Sequence, residues 1–497
     1  MKSVKRVLSC AAAVALILAL GTGTLASGGM SGEASGEASG GASGGAFGPA
    51  SLTWEQSAAL SRQNAAIWQE EGSSAYADER IVSKADDFTA VFAEGGTLSL
   101  VRSMIFTSGR EAQSPNTTMH FADANFYGTA AAVLAGRDAE LSLSDDLIVT
   151  TGEGANGVFS YGGAITMIDT VVECYGNENA HGIDAVQGGT ICGEGIDVYT
   201  SGINSGAAAT DTGGGTIELV DSALAARMAP GVYMDGDGVA HLENTTVTVG
   251  FDRDGNAVDW AFVTNDGRDG VSDETKPNTA EGLVLTGNAV ITALDTDVTA
   301  PYGVKFHSQS ATSQTGVLTM TGGSLTSTAY DVIYVTGANG SGVLDSVTCS
   351  PAEGRYLIRV CNLVPANLAE PGVGKKICAA TGDFTLKNGI YTGDVWALNA
   401  AEEAEWGAQL EGASRYDNSL KLTVENATFT GAAIHVSELT LSDGAVWTVS
   451  GDSDIGVLTV ESGCKAVLPA RATVTVNGAA TDELTAGSYE NVHINLR

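Results

Sequence analysis

The sequence predicts an all-β chain: a right-handed parallel β-helix solenoid with three strands per coil of about 24–26 residues and a short N-terminal capping helix. The first observation is a recurrence. Leu141-Ser142-Leu143, Ile165-Thr166-Met167, Ile191-Cys192-Gly193 and Ile217-Glu218-Leu219 follow one another at spacings of 24, 26 and 26 residues. The same place falls at Ala240-His241-Leu242, Leu283-Val284-Leu285, Leu318-Thr319-Met320 and Leu344. The second is what each unit contains. A second apolar run lies a few residues on, at Leu147, Val171, Val198, Leu224, Val247, Ile291 and Leu325. A third is announced by glycine, at Gly157-Val158, Gly182-Ile183, Gly231-Val232 and Gly303-Val304. The third is composition. With 64 Gly and only 9 Pro, the chain suits many short strands joined by tight turns. One such unit cannot bury its own inward side chains, whereas stacked units can. A β-sandwich would show short strands too, but it has no need of a fixed recurrence.

The elements follow in chain order. Residues 1–26 have the layout of a signal peptide: Lys2, Lys5 and Arg6, an apolar run from Val7 to Leu20, then small residues to Ala26. That run is short for a membrane span, so no span is expected in the mature chain. Residues 27–50 are a Ser/Gly/Glu/Ala linker, with Ser31-Gly32-Glu33-Ala34 repeated at 35–38. Residues 51–87 form an N-terminal helical cap. Ser51 or Thr53 caps a helix over 51–71, and Trp54, Ala58, Ser61, Ala65 and Trp68 make one stripe that packs over the open end of the stack. Residues 88–414 are the parallel β-helix. Leu98 to Leu141 and Ala240 to Leu283 each span 43 residues, which places loop insertions near 107–126 and 251–281. Residues 365–376, with Pro365 and Pro371, interrupt the pattern. Residues 415–497 return to it as C-terminal coils and cap.

A net charge of −35 would repel phosphate backbones and anionic bilayers, so nucleic acid is not an expected partner. It keeps an exported chain soluble, and clustered carboxylates also suit cations. Beyond the signal segment stand Cys174, Cys192, Cys349, Cys361, Cys378 and Cys464. An even number in an exported chain permits disulfides without fixing connectivity, and cysteine serves equally as a small buried hydrophobe. No zinc-ligand spacing is present.

Over residues 88–497 the coil pattern resembles the pectin-lyase-like superfamily of right-handed parallel β-helices. The stretch Leu439 to Leu458, with Asp443-Gly444-Ala445-Val446-Trp447 and Asp454-Ile455, resembles the C-terminal coils of autotransporter passenger domains and adhesin-like bacterial proteins. The resemblance implies a secreted or extracellular surface location, and it implies that Trp447 covers the last coils. Pectate lyases and polygalacturonases of this fold carry lyase or Asp-pair motifs. The nearest text here is His181-Gly182-Ile183-Asp184, which lacks the pair.

Two clusters hold the candidate catalytic residues: Glu173, Glu178, His181 and Asp184, then Asp235, Asp237, His241 and Glu243. Neighbouring coils bring such groups together, as paired carboxylates require, although Asp and His at turns also satisfy backbone groups. The second insertion carries candidate Ca²⁺ ligands: Asp252, Asp254, Asn256, Asp259, Asp269 and Asp273. Oxygen ligands on a Gly-containing loop suit Ca²⁺, but the spacing is not that of an EF-hand. No other cofactor is expected. The leading expectation is an adhesin-like bacterial β-helix protein binding a glycan or a host surface protein. The alternative is a polysaccharide lyase or glycoside hydrolase acting on acidic or mucin-type polysaccharide. The sequence leaves the oligomeric state open.

Overall fold

Alternation decides which way each short strand faces. In Ala164–Ile168, Ile165 and Met167 are buried while Ala164 and Thr166 are exposed, the two-residue period of a strand. The computed structural model describes residues 53–110, 125–211, 213–257, 281–307, 314–361, 379–398 and 418–496. The expected signal peptide at 1–26, the expected linker at 27–50, the break at 365–376 and much of both expected insertions lie outside the described residues.

Each coil lies on the next in parallel register. Leu141 pairs with Ile165, Ile165 with Ile191 and Ile191 with Ile217. The repeat seen in the sequence is therefore a ladder of first strands. Second strands form another, Ile148–Val172–Val198–Leu224–Val247–Val298–Leu325. Third strands form the last, Val158–Ile183–Ala208–Val232–Leu283–Val304–Ile333–Ile358. Their inward residues make one continuous apolar core. Cys174 and Cys349 pack as apolar groups, and burial pushes both thiols up to about 12.

Two expected equivalences are corrected. Leu283 belongs to the third-strand ladder, opposite Val232, and Ile291 to the first, opposite Ala240. The insertion leaves the coil between its second strand, Thr246–Val249, and its third, Glu281–Thr286. The first apolar run after it therefore completes the interrupted coil and does not open a new one. The earlier insertion leaves from the same corner, after the second strand Met104–Thr107.

The corner between first and second strands turns on one residue with left-handed backbone. Asp145, Asp169, Gly195, Asp221, Asn244, Asp295, Asn388 and Asn426 hold that place, with φ between 46° and 67°. Asp and Asn tolerate this region better than other side chains. The next residue is often Ser or Thr, whose hydroxyl donates back to the carbonyl two residues earlier. Thr170 to Ile168, Ser222 to Val220, Thr245 to Glu243 and Thr296 to Leu294 make this bond at 2.8–3.1 Å. The corner is thus fixed by local chemistry in each coil.

The helix, α1, is shorter than its apolar spacing predicts. It runs Trp54–Asn64, opened by a Thr53–Gln56 capping box. From Ile67 the chain is already strand, pairing in parallel with Val91. Trp68 stands on that strand and is half exposed. Helix α1 lies along the outer face of the first third strands, not across the open end. Trp54 stacks on Tyr161 at 4.1 Å and meets the edge of Phe92, and Ala58 packs with Phe92, Leu134 and Phe159. Those outward aromatic and aliphatic residues are the partners an apolar helical stripe needs.

Beyond the helix the outer face of the third strands stays buried. Asp184, Ala209, Tyr233, Val284, Lys305, Tyr334, Arg359 and Trp396 follow in register, none more than 8% exposed. Charges there are paired between coils. Lys305 Nζ lies 2.7 Å from Glu281 Oε1, and Arg359 Nε lies 2.6 Å from Asp331 Oδ2. At the far end Trp447 is in the core between Phe429 and Ala466, not over the last coil. The edge of Ser453–Val460 is closed by the antiparallel strand Gly487–Asn495. An antiparallel closing strand occupies the backbone groups that would otherwise template another chain.

Two outcomes follow from this packing. Asp169→Val lowers stability by about 1–2 kcal/mol, while Asp169→Gly leaves it nearly unchanged, in urea titration of the full chain. Lys305→Met removes the cation that lies against the buried Glu281 carboxylate and costs about 3–5 kcal/mol, and adding Glu281→Gln recovers most of the loss.

Candidate functional site

The third strand Ile183–Val186 turns Ile183 and Ala185 into the core, so Asp184 faces the opposite way. On the next coil Ala209 lies beside Asp184 in register, and its small side chain leaves room on that face. Asp211 follows at the end of that strand. One coil further, Met234 pairs with Thr210, so Asp235 takes the place equivalent to Asp211. His181 approaches from the corner before Ile183. Its backbone N–H donates to Asn156 Oδ1 at 2.8 Å, and its carbonyl accepts from Cys174 Sγ at 3.3 Å. Both bonds fix the residue from which the imidazole projects.

The result is a compact buried group. His181 Nε2 lies 3.5 Å from Asp211 Oδ2. One ligand-type atom from each of His181, Asp184 and Asp211 lies within 4.8 Å of the others. Asp184 is 0% exposed, His181 6% and Asp211 9%. No hydrogen bond of regular geometry reaches either carboxylate oxygen of Asp184 or Nδ1 of His181; the groups that bear on Asp184 are the Asp211 carboxyl and the backbone N–H groups of Asp211 and Ala185. Burial, and then the charge of Asp211, push the Asp184 carboxyl well above the usual carboxylate range. The same two causes raise Asp235 to about 6. Of two adjacent buried carboxylates, one takes up a proton unless a cation between them balances both charges.

The site joins members of both candidate clusters: His181 and Asp184 from the first, Asp235 from the second. Asp211 was missed. Its signal was the period, since it precedes Asp235 by 24 residues, one coil. The remaining candidates stand apart. Glu173 is on a second strand, where it accepts from Arg253 Nε at 3.0 Å and Tyr175 Oη at 3.0 Å. Glu178 sits in the turn as a bridge to Ile203. Asp237 is an exposed corner residue that accepts from Asn288 Nδ2 at 3.3 Å. His241 faces outward on the first-strand sheet between Glu218 and Thr292, and Glu243 ends the same strand.

Of the candidate calcium ligands, Asp259, Asp269 and Asp273 lie outside the described residues. Asp252 Oδ1 accepts from the backbone N–H of Asp254 at 3.0 Å and of Asn256 at 2.8 Å, and Asn256 Nδ2 reaches its other oxygen at 3.0 Å. These bonds hold the Asp252 carboxyl below its ordinary value. Arg253 forks onto Asp197 at 2.9 and 3.1 Å and so pins the start of the insertion to the second-strand sheet.

No known protein-family profile matches the chain. It is similar to the BrkA autotransporter of Bordetella pertussis, with 27% identity over 362 residues. That alignment covers 67% of this chain and 33% of the relative, so the chain spans about a third of the relative's length. The similarity and the long parallel stacks agree: this is a parallel β-helix with an autotransporter relative. Among the described residues no helix is long and apolar enough to cross a membrane.

The raised Asp184 pKa carries a sign. A carboxyl raised in the folded state stabilises least when charged, so its penalty grows as pH rises above the unfolded value near 3.8. With chelator present, Asp184→Asn therefore melts higher than wild type at pH 7, and the difference vanishes near pH 3. Thermal unfolding at the two pH values checks it.

Proposed function

We propose that this chain is a secreted or cell-surface bacterial β-helix of adhesin-like type, holding its long flank against a glycan or a host surface protein. The observation that carries the reading is the outer face of the first strands. Ser99, Ser142, Thr166, Cys192, Glu218, His241, Thr292, Thr319, Val343, Thr385, Thr423, Thr440 and Thr459 follow in unbroken register, each at least partly exposed. This is a column rich in hydroxyl groups. It offers repeated hydrogen-bond donors and acceptors of the kind sugar hydroxyls use. The net charge of −35 favours neutral over polyanionic glycans. The similarity to an autotransporter supports export and surface display.

A second reading, a polysaccharide lyase or glycoside hydrolase, draws support from the convergence of Asp184, Asp211 and Asp235 from adjacent coils. Burial weighs against it, because a polysaccharide must touch the acid and base that cleave it, and Asp184 is 0% exposed.

Incubation of the mature chain with mucin glycans, pectins and glycosaminoglycans separates the two. The expected result is saturable binding without new reducing ends or unsaturated uronates. Thr292→Arg/Thr319→Arg on the flank should weaken that binding at least about tenfold, as clashes and unpaired charge do at a contact. Turnover of any of these polymers would replace the binding reading with the enzymatic one, and absence of both binding and turnover would end the glycan form of it.

A further inference from the structure

We propose that His181, Asp184 and Asp211 form a binding site for one zinc-class divalent cation, a clasp between two consecutive coils with Asp235 of a third coil at its rim. The donor set is one imidazole nitrogen and two carboxylates. Zinc takes these ligands, at about 2.0–2.2 Å each. Two such donors at a tetrahedral angle stand about 3.4 Å apart, and His181 Nε2 and Asp211 Oδ2 are 3.5 Å apart. The third donor completes a triangle with no side longer than 4.8 Å.

The second, independent observation is the state of Asp184. It is 0% exposed, and no hydrogen bond of regular geometry reaches either oxygen. A buried carboxylate left this way is costly. Among the described residues no lysine or arginine is ion-paired with Asp184 or Asp211, and His181 is the basic group that lies against Asp211. This contrasts with Glu281 and Asp331 on the same face, each answered by a cation of the next coil. In register His181 holds the place of Glu281 and Asp331, and on the next coil Ala209 holds the place of Lys305 and Arg359, so no cation stands there.

The ion class follows from the ligands. Calcium prefers six to eight oxygens, and an imidazole with two carboxylates suits Zn²⁺, Mn²⁺, Fe²⁺ or Co²⁺ better. Asp235, partly exposed and close enough to feel the charge of Asp211, stands beside these three donors. The cation would add a bond between these two coils beside the His181–Asp211 contact and the Ala180 N–H to Ser205 Oγ hydrogen bond.

The test uses the full mature chain, stripped with chelator and titrated with Zn²⁺. The expected result is one bound equivalent by calorimetry and elemental analysis, with a rise in melting temperature. Co²⁺ should give visible absorption bands of a low-coordinate site. Asp184→Asn keeps the shape and should weaken Zn²⁺ binding at least about tenfold, a lower bound set by the loss seen for groups one layer further from a metal. His181→Gln should do the same, while Asp237→Asn, outside the cluster, should bind as wild type. Absence of stoichiometric Zn²⁺ and Co²⁺ binding in the wild type overturns the proposal, as does unchanged affinity in both ligand variants. Should either variant fail to fold, a Zn²⁺-induced shift of the His181 ring signals in the wild-type NMR spectrum decides between the outcomes.

Discussion

Everything in this molecule depends on in-register stacking of one coil on the next. A single coil has three short strands and no backbone partner of its own. Each strand finds its hydrogen bonds only in the equivalent strand above and below. Whatever stands at one position of a coil is therefore laid directly on the same position of its neighbours. Apolar residues become ladders such as Leu141–Ile165–Ile191–Ile217. The left-handed corner residues become a column of Asp, Asn and Gly. Extra chain is admitted only where it leaves the ladders intact, which is why both long insertions depart from the corner after a second strand.

The same rule sorts the outer faces. First strands alternate buried and solvent-facing residues, and their outward column is mainly Ser and Thr. Third strands are buried on both sides, so their outward column cannot be generic. It holds aromatic rings under helix α1, then ion pairs linking adjacent coils, then rings again. Asp184, Asp211 and His181 lie buried on that side of the stack, with Asp235 at their edge. Their proximity is a product of stacking: residues a coil apart in sequence become neighbours in space.

Much of the fold was legible because the period is carried by side chains. Leu, Ile and Met recur at the inner positions with little drift between Leu141 and Leu219, and pairing follows that spacing. The spacing misleads at Leu283 and Ile291 for a physical reason. An insertion that interrupts a coil after its second strand makes the next apolar run look like a beginning. The helix was overextended because Trp68 continues an apolar spacing that the backbone abandons at Asn64. Trp447 was placed over the end of the stack because its bulk suits a cover, yet a second-strand ladder between Phe429 and Ala466 has room for it inside. The site was half legible. His181, Asp184 and Asp235 carried a chemical look, but Asp211 reads as an ordinary corner residue until its register with Asp235 is known.

Burial then decides which chemistry this cluster suits. Exposed acids on an acidic protein of this size are solvated and need no partner. Asp184 is fully buried, has no lysine or arginine partner among the described residues and has a second carboxylate close by. Only a proton or a metal ion relieves that arrangement, and a polysaccharide chain does neither. A fold whose coils contact only their neighbours gains stability step by step along its length, so a cation held across one step would strengthen that step without touching the flank on which binding is proposed. The buried column and the exposed column are thus independent: one joins coils to each other, and the other is available to a partner.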